Sequence, residues 1–194
     1  LHHDESLHAV YSWYLFTGRG YRHDPLMHGP FQFHGMALVY FLLGVSDYTA
    51  RVLPALFGTA LVGLPYLLRG QLGRAGGLVV AGLLALSPSF LYFSRFARND
   101  IYIAVWSLLL VACLWRYQAE RRSLYLYAGA ALLSLSFATK EVTYITVFIF
   151  GMYLLLRSWR EVVPKLRTFD LSRLSPTAEF MVVVGTLALP QGAA

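Results

Sequence analysis

Five stretches of this chain, residues 52–68, 75–93, 101–115, 124–139 and 142–156, contain no Asp, Glu, Lys or Arg at all. Each is about 15–19 residues long, slightly short of the ~20 that carry a helix across a bilayer, and flanking arginines and aromatic residues extend such runs by snorkelling. A chain of 194 residues is too small to hide five such runs in a water-soluble core. The rest of the composition agrees: 57% of residues are hydrophobic and 13% charged, against about 25% charged in a soluble domain, and the mean hydropathy is +0.54. The expected fold is therefore all-α, a polytopic transmembrane bundle of about five full spans. The breakers Gly63-Leu64-Pro65 and Ser87-Pro88 fall in or near these runs, where neighbouring helices can satisfy the freed backbone groups.

Loop charge sets the orientation. The connections holding Arg69 and Arg74, then Arg116, Arg121 and Arg122, then Arg157, Arg160, Lys165 and Arg167, are richest in cations and are expected on the cytoplasmic side. Residues 1–50, 94–100 and 139–141 then face outward. The apolar run 31–45 is read as an interfacial or re-entrant helix, because a span there would invert every later loop. Residues 4–18 are read as a second interfacial helix, with Leu7, Val10, Tyr11 and Tyr14 forming a lipid-facing stripe. Asp4 is its expected N-cap, Glu5 and His8 lie on another face, and Gly18 and Gly20 end it. The domain expectation is an extracytoplasmic first loop over 1–50 and a transmembrane domain over 51–194. The chain starts on Leu1 and ends in a short apolar run, 180–189, so it is expected to be a fragment lacking an upstream span and a downstream part.

The net charge of +6 is distributed among short loops, which suits membrane orientation and lipid phosphates rather than nucleic acid. Cys113 is the single cysteine, so there is no disulfide framework. No P-loop, dinucleotide glycine fingerprint or G-x-S-x-G elbow occurs, which removes support for a nucleotide cofactor or serine hydrolysis.

Ionisable residues beside a bilayer are costly and are usually kept for chemistry, an ion or a partner. Here they form four outward clusters. His2-His3-Asp4-Glu5, with His8, offers two carboxylates as general base or metal ligand, or simply a helix cap. Asp4 and His3, with Asp100 from another cluster, are the candidate ligands of a divalent metal such as Zn²⁺ or Mn²⁺, although the spacing matches no defined zinc signature. Tyr21-Arg22-His23-Asp24-Pro25 and His28-Gly29-Pro30 form a rigid turn-rich loop, either a connector or a pocket wall contacting sugar or phosphate. In Arg95-Phe96-Ala97-Arg98-Asn99-Asp100, Asp100 caps a helix or faces Asp4 across a cleft, and Arg95 or Arg98 can fork onto a phosphate. In Thr139-Lys140-Glu141, the last two residues form an ion pair at a turn, or Lys140 neutralises a lipid phosphate. The candidate substrate-binding set is His3, His8, Tyr21, Asp24, His28, Arg95, Arg98, Asn99, Lys140 and Glu141.

These motifs, taken in order with the segment Ser46-Asp47-Tyr48-Thr49-Ala50-Arg51-Val52-Leu53-Pro54-Ala55-Leu56, resemble the GT-C glycosyltransferases that use polyprenyl-phosphate sugars. The chain is similar to their protein O-mannosyltransferase and aminoarabinose transferase branch. The His-His-Asp-Glu and Asp-Pro-x-x-His-Gly-Pro patterns resemble the prokaryotic "flippase activity-associated" subgroup. The resemblance implies that Asp4 is the first-loop catalytic aspartate, with Glu5 its partner, Asp100 the second-loop acid and Lys140 the third-loop lysine near the donor phosphate. Glu141 stands where the family often has glycine. It also implies a cell-membrane enzyme with its site outside, moving sugar from a polyprenyl-phosphate donor to a protein, lipid or glycan acceptor. The competing reading is a non-catalytic transporter or flippase component. It requires broken helices and polar groups near the bilayer midplane, whereas the five runs are bare of charge.

Overall fold

The computed structural model describes residues 2–21, 27–168 and 174–192. Among them the chain is helical, in the order α1 (His3–Phe16), α2 (Phe31–Leu43), α3 (Val52–Gly63), α4 (Arg69–Leu86), α5 (Pro88–Ser94), α6 (Asp100–Glu120), α7 (Leu124–Phe137), α8 (Thr143–Thr168) and α9 (Pro176–Gly192). Short 3₁₀ turns, Thr49–Arg51 and Leu64–Leu68, lead into and out of α3. The all-helical expectation holds. The chain divides into two compact units, one of residues 1–108 with 138–141 and one of 109–137 with 142–194.

The apolar runs become helices with altered limits: breakers divide the first two, whereas α6 and α8 continue past the ends of their runs, to Glu120 and Thr168. By length and composition, Thr49–Leu86 and Asp100–Glu120 are the segments apolar and long enough to cross a membrane, while Phe31–Leu43, Leu124–Phe137 and Pro176–Leu189 are shorter apolar helices. Thr49–Leu86 holds the first expected run and most of the second. Gly73 breaks its helix at φ 72°, ψ 168°, a conformation natural to glycine, and a β-carbon on Gly77 would sit 3.4 Å from the Pro65 carbonyl oxygen. Residues twelve apart on a straight helix would be about 18 Å apart, so the chain reverses between them. The run 75–93 is not one helix. Pro88 pushes Ser87 to an extended ψ of 121° and α5 starts afresh. Phe31–Leu43 is a helix too short to span, as expected.

In the first unit α1 and α2 lie side by side. The buried face of α1 is polar, comprising Glu5, His8 and Ser12 with Ala9, whereas Leu7 and Val10 point outward as the first half of the expected stripe; Tyr11 and Tyr14 are half-buried instead, and the Tyr11 ring meets Phe33 of α2. Its cap differs from expectation. His2, not Asp4, is the N-cap: its ring Nδ1 accepts from the Asp4 N–H while the Glu5 carboxylate accepts from the His2 N–H at 2.9 Å. That reciprocal box uses the acid three residues on and leaves Asp4 free to point elsewhere. The helix ends at Thr17, followed by Gly18 and Gly20 at positive φ.

The second unit packs Leu110, Leu114 and Tyr117 of α6 against Leu133 of α7, Leu154 of α8 and Phe180 and Val184 of α9. Gly129 exists for Phe180, since a β-carbon there would lie 2.7 Å from its ring. Glu179 accepts from the Tyr117 hydroxyl and from Arg121 at 3.1 Å. Large apolar side chains remain on the outside of α2, α4 and α8, among them Phe41, Leu78, Phe148 and Leu156, each well over half exposed. Faces this greasy belong against hydrocarbon or a partner rather than water.

One contact in the first unit fixes the loop before α2. The Gly29 N–H donates to Thr139 O at 3.1 Å and the Phe31 N–H to Ala138 O at 2.9 Å. A β-carbon on Gly29 would fall 2.2 Å from the Ala138 oxygen, which only a bare glycine avoids. Gly29→Ala should therefore unseat this loop and lower the melting temperature in detergent, at a cost of about 1–3 kcal/mol or more because the obstacle is backbone.

Candidate active site

The site is assembled around one peptide. Ala97, fully buried, has both backbone groups taken by buried side chains. Its N–H donates to Glu5 Oε1 at 3.1 Å, and its carbonyl accepts from Gln32 Nε2 at 2.6 Å. Glu5 comes from α1 and Gln32 from α2, so the loop carrying Arg98, Asn99 and Asp100 is clamped to both helices. Glu5 also receives a two-pronged bond from Arg51, with Nε to Oε1 at 2.9 Å and Nη2 to Oε2 at 2.6 Å. Burial alone would raise the Glu5 carboxyl's pKa. The Arg51 fork, the His2 and Ala97 N–H groups and the Arg51 charge outweigh it and hold the group at about 2.

With the loop held there, Arg98 reaches both acids. Its Nη1 lies 3.4 Å from Asp4 Oδ2 and its Nε 3.8 Å from Asp100 Oδ2. Lys140 closes the chain on the other Asp100 oxygen at 2.6 Å. The order is thus Asp4, Arg98, Asp100, Lys140, two acids alternating with two cations. Asp100 begins α6, as the sequence indicates. Asp4 is the more open acid and Lys140 the most enclosed member of the four.

Beside it, His28 and Glu141 meet at 2.7 Å. Burial works against the charged form of Glu141. Its own backbone N–H and the His28 ring nonetheless lower its pKa below the usual carboxylate value. Glu141 therefore latches the His28-Gly29-Pro30 loop, and His28 takes a φ of +64° to do so. Trp106 adds a bond from its Nε1 to the Thr139 hydroxyl at 3.2 Å.

Several buried polar atoms here have no hydrogen-bond partner among the described residues: both ring nitrogens of His8, the side-chain amide of Asn99, Gln32 Oε1, Asp100 Oδ2 and the Tyr102 hydroxyl. Orphans are rare in native structures and call for water or ligand groups. His8 rests against Phe33, with ring centroids 5.4 Å apart. Burial, joined by the charges of His28 and Arg98, drives its pKa down to about 4, so the ring is neutral at pH 7.

The remaining candidates lie elsewhere. Asp24, with Arg22 and His23, falls outside the described residues. Tyr21 packs on Phe33 and His34. Arg95 is exposed and lines a groove with Asp47, Tyr48 and Arg51, away from the four-membered chain. His3 is exposed. Among the described residues no three His, Cys, Asp or Glu side chains converge as a ligand set, and one oxygen of each acid, Asp4 Oδ2 and Asp100 Oδ1, faces a cation, Arg98 and Lys140 respectively. The expected divalent metal thus finds no ligand triad in His3, Asp4 and Asp100. Sequence reasoning passed over Gln32 and, although Arg51 lies in the quoted segment 46–56, gave it no role at the site. Arg51 had a usable signal, an unexplained arginine just ahead of an apolar run, whereas an isolated glutamine in an apolar helix offers none.

Two outcomes follow. Arg51→Met leaves a carboxylate buried without its cation and should destabilise the protein by about 3–5 kcal/mol, read as a lower melting temperature in detergent. The pH profile carries two signatures. His8 is bound neutral, so its stabilisation is complete above pH 6.5 and is lost as pH falls from there toward 4. A shift of this size is worth about 3 kcal/mol in all, and the decline between pH 6.5 and 4 should be absent in His8→Phe. Glu5 is bound charged, so its contribution is present above about pH 4.5 and fails between there and about 2. A melting temperature independent of pH across this range would contradict both assignments.

Comparison with known proteins supplies the identity. No curated protein and no solved structure matches the chain. One family's sequence pattern, described as dolichyl-phosphate-mannose-protein mannosyltransferase, matches residues 10–189, most of the chain. The match starts after Asp4 and Glu5 and takes in Arg51, Arg98, Asp100 and Lys140. The chain belongs to the dolichyl-phosphate-mannose-protein mannosyltransferase family, whose members are integral membrane glycosyltransferases.

Proposed function

We propose that this chain carries the catalytic residues of a transferase that moves a sugar from a polyprenyl-phosphate donor to an acceptor hydroxyl on the extracytoplasmic face of a prokaryotic cell membrane. The observation that carries the reading is the alternating chain Asp4, Arg98, Asp100, Lys140, drawn from three segments far apart in sequence.

In this reading Asp4 is the general base. It removes the acceptor hydroxyl's proton as that oxygen bonds to the anomeric carbon, while the bond from that carbon to the lipid phosphate breaks. The departing phosphate keeps the electron pair. Its new negative charge needs cations already in position, and Lys140 and Arg98 fill that role without reorganising at the moment of reaction. Asp100 holds both cations and so acts as a positioning residue. Glu5, with no exposed surface and all its contacts within the protein, acts through position rather than on substrate, which departs from the catalytic role the family resemblance implies. The orphaned His8 and Asn99 groups are suited to the uncharged hydroxyls of a sugar or to ordered water.

The test is transfer of sugar from a polyprenyl-phosphate donor by the full-length protein. Asp4→Asn should lower kcat by about 100- to 10,000-fold, and Lys140→Met by about 100-fold or more, with melting temperatures close to wild type for Asp4→Asn. Asp100→Asn should act through Lys140 and shift the pH dependence of turnover as well as its rate. Unchanged turnover in both Asp4→Asn and Asp100→Asn would remove the catalytic assignment.

A further inference from the structure

Away from the candidate active site, the α3–α4 hairpin ends in a cavity of about 580 Å³ whose mouth carries Arg69 and Arg74. Both arginines are exposed, and among the described residues neither has a carboxylate partner. Arg69 is not a free-swinging surface cation. Its guanidinium sits 4.1 Å from the Tyr66 ring centroid, a cation–π contact that holds the group over the opening. Among the described residues no acid lines the cavity. Its remaining wall is apolar, from Val62, Leu78 and Ala81, and the lack of a side chain at Gly77 leaves room where α4 passes the Pro65 carbonyl. Next to it Leu78, Val79 and Leu83 are largely exposed, a face that in an integral membrane protein meets hydrocarbon.

The two halves of this site ask for different chemistry. Paired guanidiniums with no internal counter-ion fit a phosphate, which each can grip with a planar fork. The apolar wall below them fits a hydrocarbon chain. Orientation by positive loops needs cations alone; it needs neither a cavity nor an aromatic holding one of them in place. We propose that Arg69 and Arg74 bind the phosphate of an anionic glycerophospholipid from the leaflet at the 69–74 turn, with its acyl chain lying along Val62, Leu78 and Ala81. None of the cavity's residues belongs to the Asp4, Arg98, Asp100, Lys140 chain, so this lipid is a resident of the membrane and not the sugar donor.

The experiment follows melting of the detergent-solubilised full-length protein with added phosphatidylglycerol, phosphatidylcholine or inorganic phosphate. Ligands that bind only the folded state raise the melting temperature, so phosphatidylglycerol should raise it by at least about 3 °C more than phosphatidylcholine. That advantage should shrink in high salt and vanish in the double variant Arg69→Gln/Arg74→Gln. It should survive in Arg95→Gln, which removes an exposed cation from a different groove, and largely survive in Arg69→Lys/Arg74→Lys. Equal shifts from the two lipids in the wild-type protein, which needs no variant to fold, would overturn the proposal. So would an undiminished phosphatidylglycerol effect in the double Gln variant. An equal shift from inorganic phosphate would make this a free-anion site and overturn the lipid assignment. No arm reads sugar transfer, so failure here leaves the catalytic reading standing, and the converse.

Discussion

A carboxylate with no exposed surface organises the first unit. Glu5 can remain charged there only because Arg51 forks onto it and the His2 and Ala97 N–H groups complete its coordination. Burying an ion is expensive, and an arrangement that satisfies it must be geometrically demanding. That demand is useful here. It ties α1, the turn before α3 and the loop before α6 to a single point, so the residues on either side of Ala97 have little freedom left. Arg98 and Asp100 inherit their positions from Glu5 although neither touches it.

The second constraint is the docking of one turn on another. Gly29 and Phe31 donate to the backbone of Ala138 and Thr139, and His28 reaches Glu141. The turn that supplies Lys140 is thereby held within the first unit, although α7 and α8 on either side of it belong to the second. The glycine of this motif is there for space, since its absent β-carbon would overlap a carbonyl oxygen. Glu141 has a physical occupation in this chain as the partner of His28.

Much of the fold was legible in the sequence because its determinants are local. Charge-free runs give helices, Ser87-Pro88 forces a break, and Leu7 and Val10 keep the outward side of α1. The misjudged points were those where a competing local rule won at short range. Asp4 had the residue type of an N-cap, but His2 with Glu5 forms the box. Residues 75–93 had the composition of one span, but the restriction that proline places on its predecessor divides it. The candidate site was legible as a set of residues and less so as a set of partners. Nothing in the spacing says that Arg98 stands between Asp4 and Asp100, or that Arg95, three residues earlier, faces a different groove.

The sequence by itself determined that this chain is helical, membrane-embedded and free of charge through five long runs, because hydrophobicity and charge act through composition and short periodicities. It also supplied the acids and cations of the site by motif. Only the tertiary structure decided their partners. Asp4 and Glu5 are adjacent in the chain, yet successive residues on a helix point about 100° apart. One carboxylate is consequently sealed against Arg51 as the anchor of the unit, and the other is left open beside Arg98, where chemistry can reach it.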